Sequence, residues 1–181
     1  RKQSAIPLLL ITYMNSVLRY GLDALAKDAR DAGIDGCLMT DLSVEEAAQY
    51  TEAMHRHGLD TVFLAAPTST PRRLKLAAQY SSGFLYLVSR TGVTGEREVL
   101  SGSAEPLVKA MRAETALPLA VGFGISTPEQ VRATAAIADG VVVGSAFVRV
   151  IEQNLNSPDG AMEAALEARA RDLASGLSSE H

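Results

Sequence analysis

The sequence predicts an α/β fold of repeated βα units, arranged as a (β/α)8 barrel of which this chain holds strands three to eight. Three observations predict it. Short, continuously apolar runs alternate with segments whose apolar residues recur at helical spacing, the pattern of buried parallel strands joined by crossover helices. There are six such runs, each followed by a helical segment. The last two runs end in glycine-bearing turns, at the place where barrels of this kind often hold a phosphate.

The elements follow in order. Pro7–Thr12 reads as a strand, and Leu22, Leu25, Ala26, Ala29 and Ala32 recur at helical spacing before Gly33 stops the helix. Gly36–Met39 is the next strand. Ser43 and Glu46 have capping-box spacing and open a helix that Gly58 ends. Thr61–Ala65 is a strand, and Thr70-Pro71 supplies an N-cap with proline at the first helical position. Phe84–Val88 is a strand, followed by a long loop rich in Gly, Ser and Thr through Ser103. Leu107, Val108 and Met111 mark a helix, Leu119–Val121 a strand, and Thr127-Pro128 another helix start. Val141–Val143 is the last strand, Ser145 opens a helix through Gln153, and Asp159–Leu177 reads as one long final helix. No linker or composition break interrupts residues 1–177, which are expected to form a single partial domain. Residues 178–181 are a polar tail expected to fray.

Composition narrows the function classes. Of 181 residues, 17 are Lys or Arg and 21 Asp or Glu, a net charge of -4 that gives no basic footprint for nucleic acid. One cysteine, Cys37, excludes an internal disulfide and a thiolate metal cluster. No apolar stretch approaches the ~18 residues a membrane span needs, and the apolar run after Arg1-Lys2-Gln3-Ser4 is too short for a signal peptide.

The glycines decide between a doubly wound sheet and a barrel. Three strands end in glycine turns: Arg90-Thr91-Gly92-Val93-Thr94-Gly95, Gly122-Phe123-Gly124-Ile125-Ser126 and Gly144-Ser145. Glycine admits a ligand close to the backbone, and a helix start behind it offers free N–H groups to an anion. One such turn is more often just a tight turn; two on consecutive strands, each opening a helix, point to phosphate. No Walker A or dinucleotide fingerprint is present. Counting back from strand eight, the six strands are three to eight. A full barrel typically has about 250 residues, so the first two βα units, roughly 70 residues, are expected to precede Arg1. Six strands standing alone would expose two parallel edges, so a free 181-residue product is expected to be unstable, oligomeric or completed by another segment.

Leu87-Val88-Ser89-Arg90-Thr91-Gly92-Val93-Thr94-Gly95, Val121-Gly122-Phe123-Gly124-Ile125-Ser126 and Asp139-Gly140-Val141-Val142-Val143-Gly144-Ser145-Ala146 together resemble the tryptophan synthase alpha subunit family. Tyr13-Met14-Asn15, Asp41-Leu42 and Ala65-Ala66-Pro67-Thr68 add to a resemblance covering about residues 6–154. It implies a TIM barrel that cleaves indole-3-glycerol phosphate to indole and glyceraldehyde 3-phosphate. It implies no metal and no cofactor in this chain, with pyridoxal phosphate only in a beta-subunit partner in an alpha2beta2 assembly. A cytoplasmic lyase of tryptophan biosynthesis is expected, with no nucleic-acid or membrane partner.

The resemblance also implies roles. Backbone N–H groups near Gly95, Gly124, Gly144 and Ser145 would receive the phosphate. Tyr13, Leu38, Thr40, Leu64, Phe123 and Val142 would wall the indole slot, although Leu38, Leu64 and Val142 read almost equally as barrel core. Tyr86 would face the site and orient a carboxylate. Thr94 would tie down a closing loop, and Arg90 would gate the mouth or stand as a solvated loop arginine. Asn15 would meet the partner. Ser16 and Ser43 stand where the family usually has proline, on loops facing that partner. The acid and base carboxylates are expected N-terminal to Arg1: Asp41 reads as a cap or loop ligand, Glu96 as a surface carboxylate, and His55, His57 and His181 as solvated. Two other functions compete. A catalytically incomplete module would bind phosphate ligands or activate a beta subunit without cleaving anything. A different phosphate barrel, such as a phosphoribosyl isomerase, would share the two glycine turns but lack the Ser89–Gly95 loop.

Overall fold

The computed structural model describes residues 4–88 and 100–177, with the side chains of residues 100–103 outside that description. Its elements are β1 (Leu9–Thr12), α1 (Met14–Tyr20), α2 (Leu22–Asp31), β2 (Gly36–Met39), a 3-10 turn (Val44–Glu46), α3 (Ala48–Arg56), β3 (Asp60–Ala65), α4 (Pro71–Tyr80), β4 (Leu85–Val88), α5 (Leu100–Arg112), β5 (Leu119–Gly122), α6 (Pro128–Ala135), β6 (Gly140–Val142), α7 (Ser145–Gln153), α8 (Ala161–Ala174) and a closing 3-10 turn (Ser175–Leu177). The alternation expected from the sequence is therefore present. The chain divides into two compact units, the first of residues 1–86 and 110–118, the second of residues 87–109 and 119–181.

In the first unit β1, β2 and β3 run parallel in chain order, with Ile11 opposite Leu38 and Leu38 opposite Val62. All four residues of β2 are buried, which is why its sequence is uninterrupted rather than alternating. Tyr50 of α3 anchors the core. Its ring is 1% exposed, meets Phe63 edge-on at 5.9 Å, and its hydroxyl donates to the Cys37 carbonyl at 2.7 Å. A buried phenol is tolerated because its one donor is used. Burial pushes the Cys37 thiol up to about 11, so the single cysteine is a core residue rather than a nucleophile.

In the second unit β5 and β6 are parallel, Val121 opposite Val141. Asp139 ties the start of β6 to β5: its Oδ2 accepts from the Leu119 N–H at 2.8 Å and its own N–H donates to Leu119 O at 2.9 Å. Ile125, Val131 and Leu173 form a core cluster against which Val141, Val143 and Phe147 pack.

Several boundaries depart from the sequence reading. β1 starts at Leu9 rather than Pro7, because Pro7 lacks a ladder donor and the Leu8 N–H goes to Asp35 Oδ2 at 2.7 Å. Helix α1 was not legible. No side chain of its own N-cap bonds it; instead Asp41, a loop residue far along the chain, accepts the Met14 N–H at 2.7 Å. Ser43 does not cap a long helix. It accepts from the Glu45 N–H and opens only the 3-10 turn before α3 begins at Ala48. α5 begins at Leu100, where Ser101–Ser103 give no apolar period to read. The last helix is shorter than Asp159–Leu177, since Gly160 sits in the left-handed region before it and the chain tightens to a 3-10 turn after Ala174. Thr70 and Thr127 cap α4 and α6 as their Thr-Pro sequences indicate, and Thr127 with Gln130 completes a capping box.

Arg73 of α4 grips the Glu45 carboxylate with two nitrogens, at 2.9 and 3.2 Å. With a further bond from the Ser43 hydroxyl, this holds the Glu45 carboxyl down at about 2. The folded value lies below the unfolded one. The pair's contribution is therefore present above the ordinary glutamate range near 4.5 and is lost as pH falls through about 2. Carboxyl NMR titration is expected to place Glu45 near that value, and Arg73→Met to return it toward the ordinary range. A Glu45 titrating normally in the native protein would contradict the bidentate grip.

Candidate functional site

The C-terminal ends of the strands are where a parallel βα architecture builds its sites. In the second unit two turns stand there. The first follows β5. Phe123 has φ +130 and is 55% exposed, and Gly124 follows at φ +72. A phenylalanine at positive φ costs on the order of 1–3 kcal/mol and persists only where its surroundings over-determine it. Those surroundings lie on the C-terminal side of the turn. Ile125, 1% exposed, sinks into the cluster with Val131 and Leu173. The Ser126 and Thr127 N–H groups both donate to Gln130 Oε1, at 2.7 and 3.2 Å. The result is a turn whose backbone is fixed while its Phe123 ring faces outward.

The second turn follows β6. Gly144 is the N-cap of α7 and has no side chain with which to cap it, and the helix's first turn holds no carboxylate. Gly144 and Ser145 are exposed. A Cβ placed on Gly144 would meet nothing within 4 Å, and its φ is -124. Neither crowding nor a left-handed backbone demands glycine there. What its bare backbone provides is open approach to a helix N-terminus, which carries partial positive charge and N–H groups without intrahelical acceptors. Val142, at the end of β6, is half-buried.

The first unit presents its own strand ends. Tyr13, just past β1, is 61% exposed. Thr40, just past β2, is exposed, and its N–H and hydroxyl both donate to Thr12 O, at 3.0 and 3.2 Å. Leu38 is 1% exposed within β2, while Leu64 is half-buried in β3. Tyr86 is half-buried in β4, and burial raises its hydroxyl pKa, keeping it a neutral donor. Asn15 is exposed and turns its Oδ1 back to the Ser16 N–H at 2.7 Å.

Asp41 is the loop ligand its position suggested, spent on α1. The histidines fare differently from the solvated reading. His57 is half-buried, its Nε2 3.0 Å from Asp23 Oδ1, and this contact is the main cause of the lowered Asp23 pKa. His55 is exposed but bonds Thr61 Oγ1 and Ser82 Oγ, each at 3.2 Å. Both rings therefore stitch elements together. Arg90, Thr94, Gly95, Glu96 and His181 lie outside the described residues. Among the described residues no group of three His, Cys, Asp or Glu side chains is placed to hold a metal ion, and no helix is long and apolar enough to cross a membrane. Sequence reasoning missed Gln130, whose capping-box place three residues after Thr127 was readable, and the positive φ of Phe123, which had no local signal.

Comparison with known proteins places this geometry. A family model described as tryptophan synthase alpha chain matches residues 1–177. The tryptophan synthase alpha chain of Solibacter usitatus is 65% identical over 177 residues, covering 98% of this chain and 66% of the relative. That of Opitutus terrae is 47% identical over 176 residues, covering 97% of this chain and again 66% of the relative. Among solved structures, a chain of the tryptophan synthase a2b2 complex from Pyrococcus furiosus superposes with TM-score 0.84 at 37% identity, covering 98% of this chain and 69% of that one. A chain of tryptophan synthase from M. tuberculosis gives 0.82 at 37% identity, covering 96% and 62%. The chain thus spans just under two thirds of the curated relatives it matches.

Proposed function

Since this chain belongs to the tryptophan synthase alpha chain family, we propose that the whole protein is a lyase cleaving indole-3-glycerol phosphate to indole and glyceraldehyde 3-phosphate. The observation that carries the reading is the pair of glycine turns in the second unit, one strained and anchored, the other opening a helix at a bare glycine N-cap. Gly124, Gly144 and Ser145 then offer backbone N–H groups to the substrate phosphate, with Gly95 as a fourth contributor. Such donors are oriented before the ligand arrives, so binding costs little reorganisation.

The remaining roles follow from the family and from the chemistry. Retro-aldol cleavage breaks the bond between indole C3 and the glycerol chain. It needs a proton delivered to C3, a proton taken from the glycerol hydroxyl, and support for the indole N–H. Within the second unit, Phe123 and Val142 are the residues that the family resemblance assigns to the indole; within the first, it assigns that role to Tyr13, Leu38, Thr40 and Leu64. Tyr86, kept protonated by burial, orients a carboxylate. The family resemblance assigns Thr94 and Arg90 to enclosing the substrate, a role whose chemical use is the exclusion of water. The acid and base carboxylates come from the part of the family's length that lies N-terminal to this segment. The chain acts as one partial barrel domain and uses no metal or organic cofactor of its own. Its partner is a beta subunit that holds pyridoxal phosphate and receives the indole, with Asn15 at the interface, and the assembly works in the cytoplasm.

The test is indole release. Full-length protein incubated with indole-3-glycerol phosphate is expected to liberate indole and glyceraldehyde 3-phosphate in equal amounts, faster with a beta subunit present. Binding of the phosphate substrate without any indole release would instead identify a non-catalytic binding or activating module. Failure to bind it at all would point to another phosphate-using barrel.

A further inference from the structure

We propose that Arg169 of α8 is a positioning residue for the phosphate-receiving turn after β5, so that the last helix of the chain sets that turn's affinity for phosphate. The inference rests on the reading of Gly124 as a phosphate donor and names a residue outside the turn that enforces its geometry.

Three anchors hold the residues that follow the strained Phe123–Gly124 pair. Ile125 is buried in the cluster with Val131 and Leu173, and Gln130 takes the Ser126 N–H. Both are local to the turn and α6, or are simple packing. The third is not local: Arg169, forty-three residues along the chain, donates from Nη2 to the Ser126 carbonyl oxygen. Its Nη1 is held by Asp172 Oδ2 at 2.6 Å, and the side chain is 28% exposed. The guanidinium is thus aimed from behind by a carboxylate and from the front by a carbonyl, a two-point fixing that its planar fork allows. With its N–H on Gln130 and its C=O on Arg169, the Ser126 backbone cannot rotate without breaking a bond at one end. Rotation there is what would let Phe123 relax from φ +130 and turn the Gly124 N–H away from a ligand. Gln130 also takes the Thr127 N–H at 3.2 Å, in the same peptide plane as the Ser126 carbonyl, and Arg169 adds to that peptide a charged anchor from outside α6.

The experiment is equilibrium titration of the full-length protein with two ligands, indolepropanol phosphate and indole. Arg169→Met keeps the aliphatic stem and removes the guanidinium. It is expected to raise the Kd for indolepropanol phosphate about fivefold, the worth of one charge-assisted hydrogen bond acting indirectly, while the Kd for indole stays within about twofold. Arg169→Lys, which restores a charged donor, is expected to recover most of the loss. Asp172→Asn leaves Arg169 in place but frees its rear anchor, and the same selective weakening, about twofold, is expected. Unchanged affinity for the phosphate ligand in Arg169→Met and Asp172→Asn would overturn the inference. Equal loss of both ligands would overturn it too, since that marks a general loss of structure. If the unsubstituted protein binds indolepropanol phosphate no more tightly than indole, the phosphate reading itself has failed, and that failure is visible before any substitution is made.

Discussion

Gly144→Asp is expected to weaken binding of a phosphate-bearing ligand by at least about a hundredfold, close to 3 kcal/mol, while leaving the melting temperature within about 2 °C. The two halves of that expectation come from one observation. The space beside Gly144 is open, with no atom of the described residues beyond its chain neighbours within 4 Å of an added Cβ, and the backbone there is not left-handed. An aspartate therefore fits without displacing anything. At φ -124 and ψ -74 its backbone is not the extended one from which an N-cap side chain bonds the helix, but its carboxylate stands as a negative charge beside the first-turn N–H groups. Those are the groups the phosphate would use, so the new side chain repels the ligand's charge, a juxtaposition that costs several kcal/mol. Titration with indolepropanol phosphate, beside a melting curve, checks both halves. Undiminished binding would mean that the phosphate does not sit at the start of α7.

Gly176→Ala is the substitution expected to damage the fold most for its size. Gly176 is buried in the 3-10 turn that closes the chain. An added Cβ would overlap the Pro128 carbonyl oxygen and stand 3.0 Å from Val131 Cβ. The first of these is backbone and cannot swing aside, so the turn must move off α6. Overpacking of this kind costs about 3 kcal/mol, which for a chain of this size lowers the melting temperature by roughly 6–12 °C. The strain falls on α6, whose N-terminus continues the turn after β5, so phosphate affinity is expected to drop as well. Urea denaturation of the Gly176→Ala variant beside the unsubstituted protein measures the first effect. An unchanged midpoint would show that the close approach is absent.

What could be read from the residues alone divides along a physical line. Signals carried within a few residues were legible. The Thr-Pro starts of α4 and α6, the continuous apolar runs of β2 and β3, and the Gly144-Ser145 opening of α7 all announce themselves, because caps, pleats and turns are local chemistry. Interactions closed by distant residues were not. Helix α1 depends on Asp41 for its N-terminal bond. Ser43 opens a 3-10 turn and not the expected long helix, and Glu45 in that turn is engaged by Arg73 from α4. His57, read as solvated, is drawn to Asp23 of α2. The candidate site shows the same division: its glycines were readable by type and spacing, and the family followed from them. The positive φ of Phe123 and the reach of Arg169 to Ser126 were not, since both are consequences of how α6 and α8 pack around the turn.

We propose that the second unit's glycine turns receive a phosphate. This is tested most directly by comparing the full-length protein's affinity for indolepropanol phosphate with its affinity for indolepropanol, the same molecule without the phosphate. The phosphate-bearing ligand is expected to bind at least tenfold more tightly, about 1.4 kcal/mol or more. Equal affinity for the two would mean that these turns do not hold a phosphate.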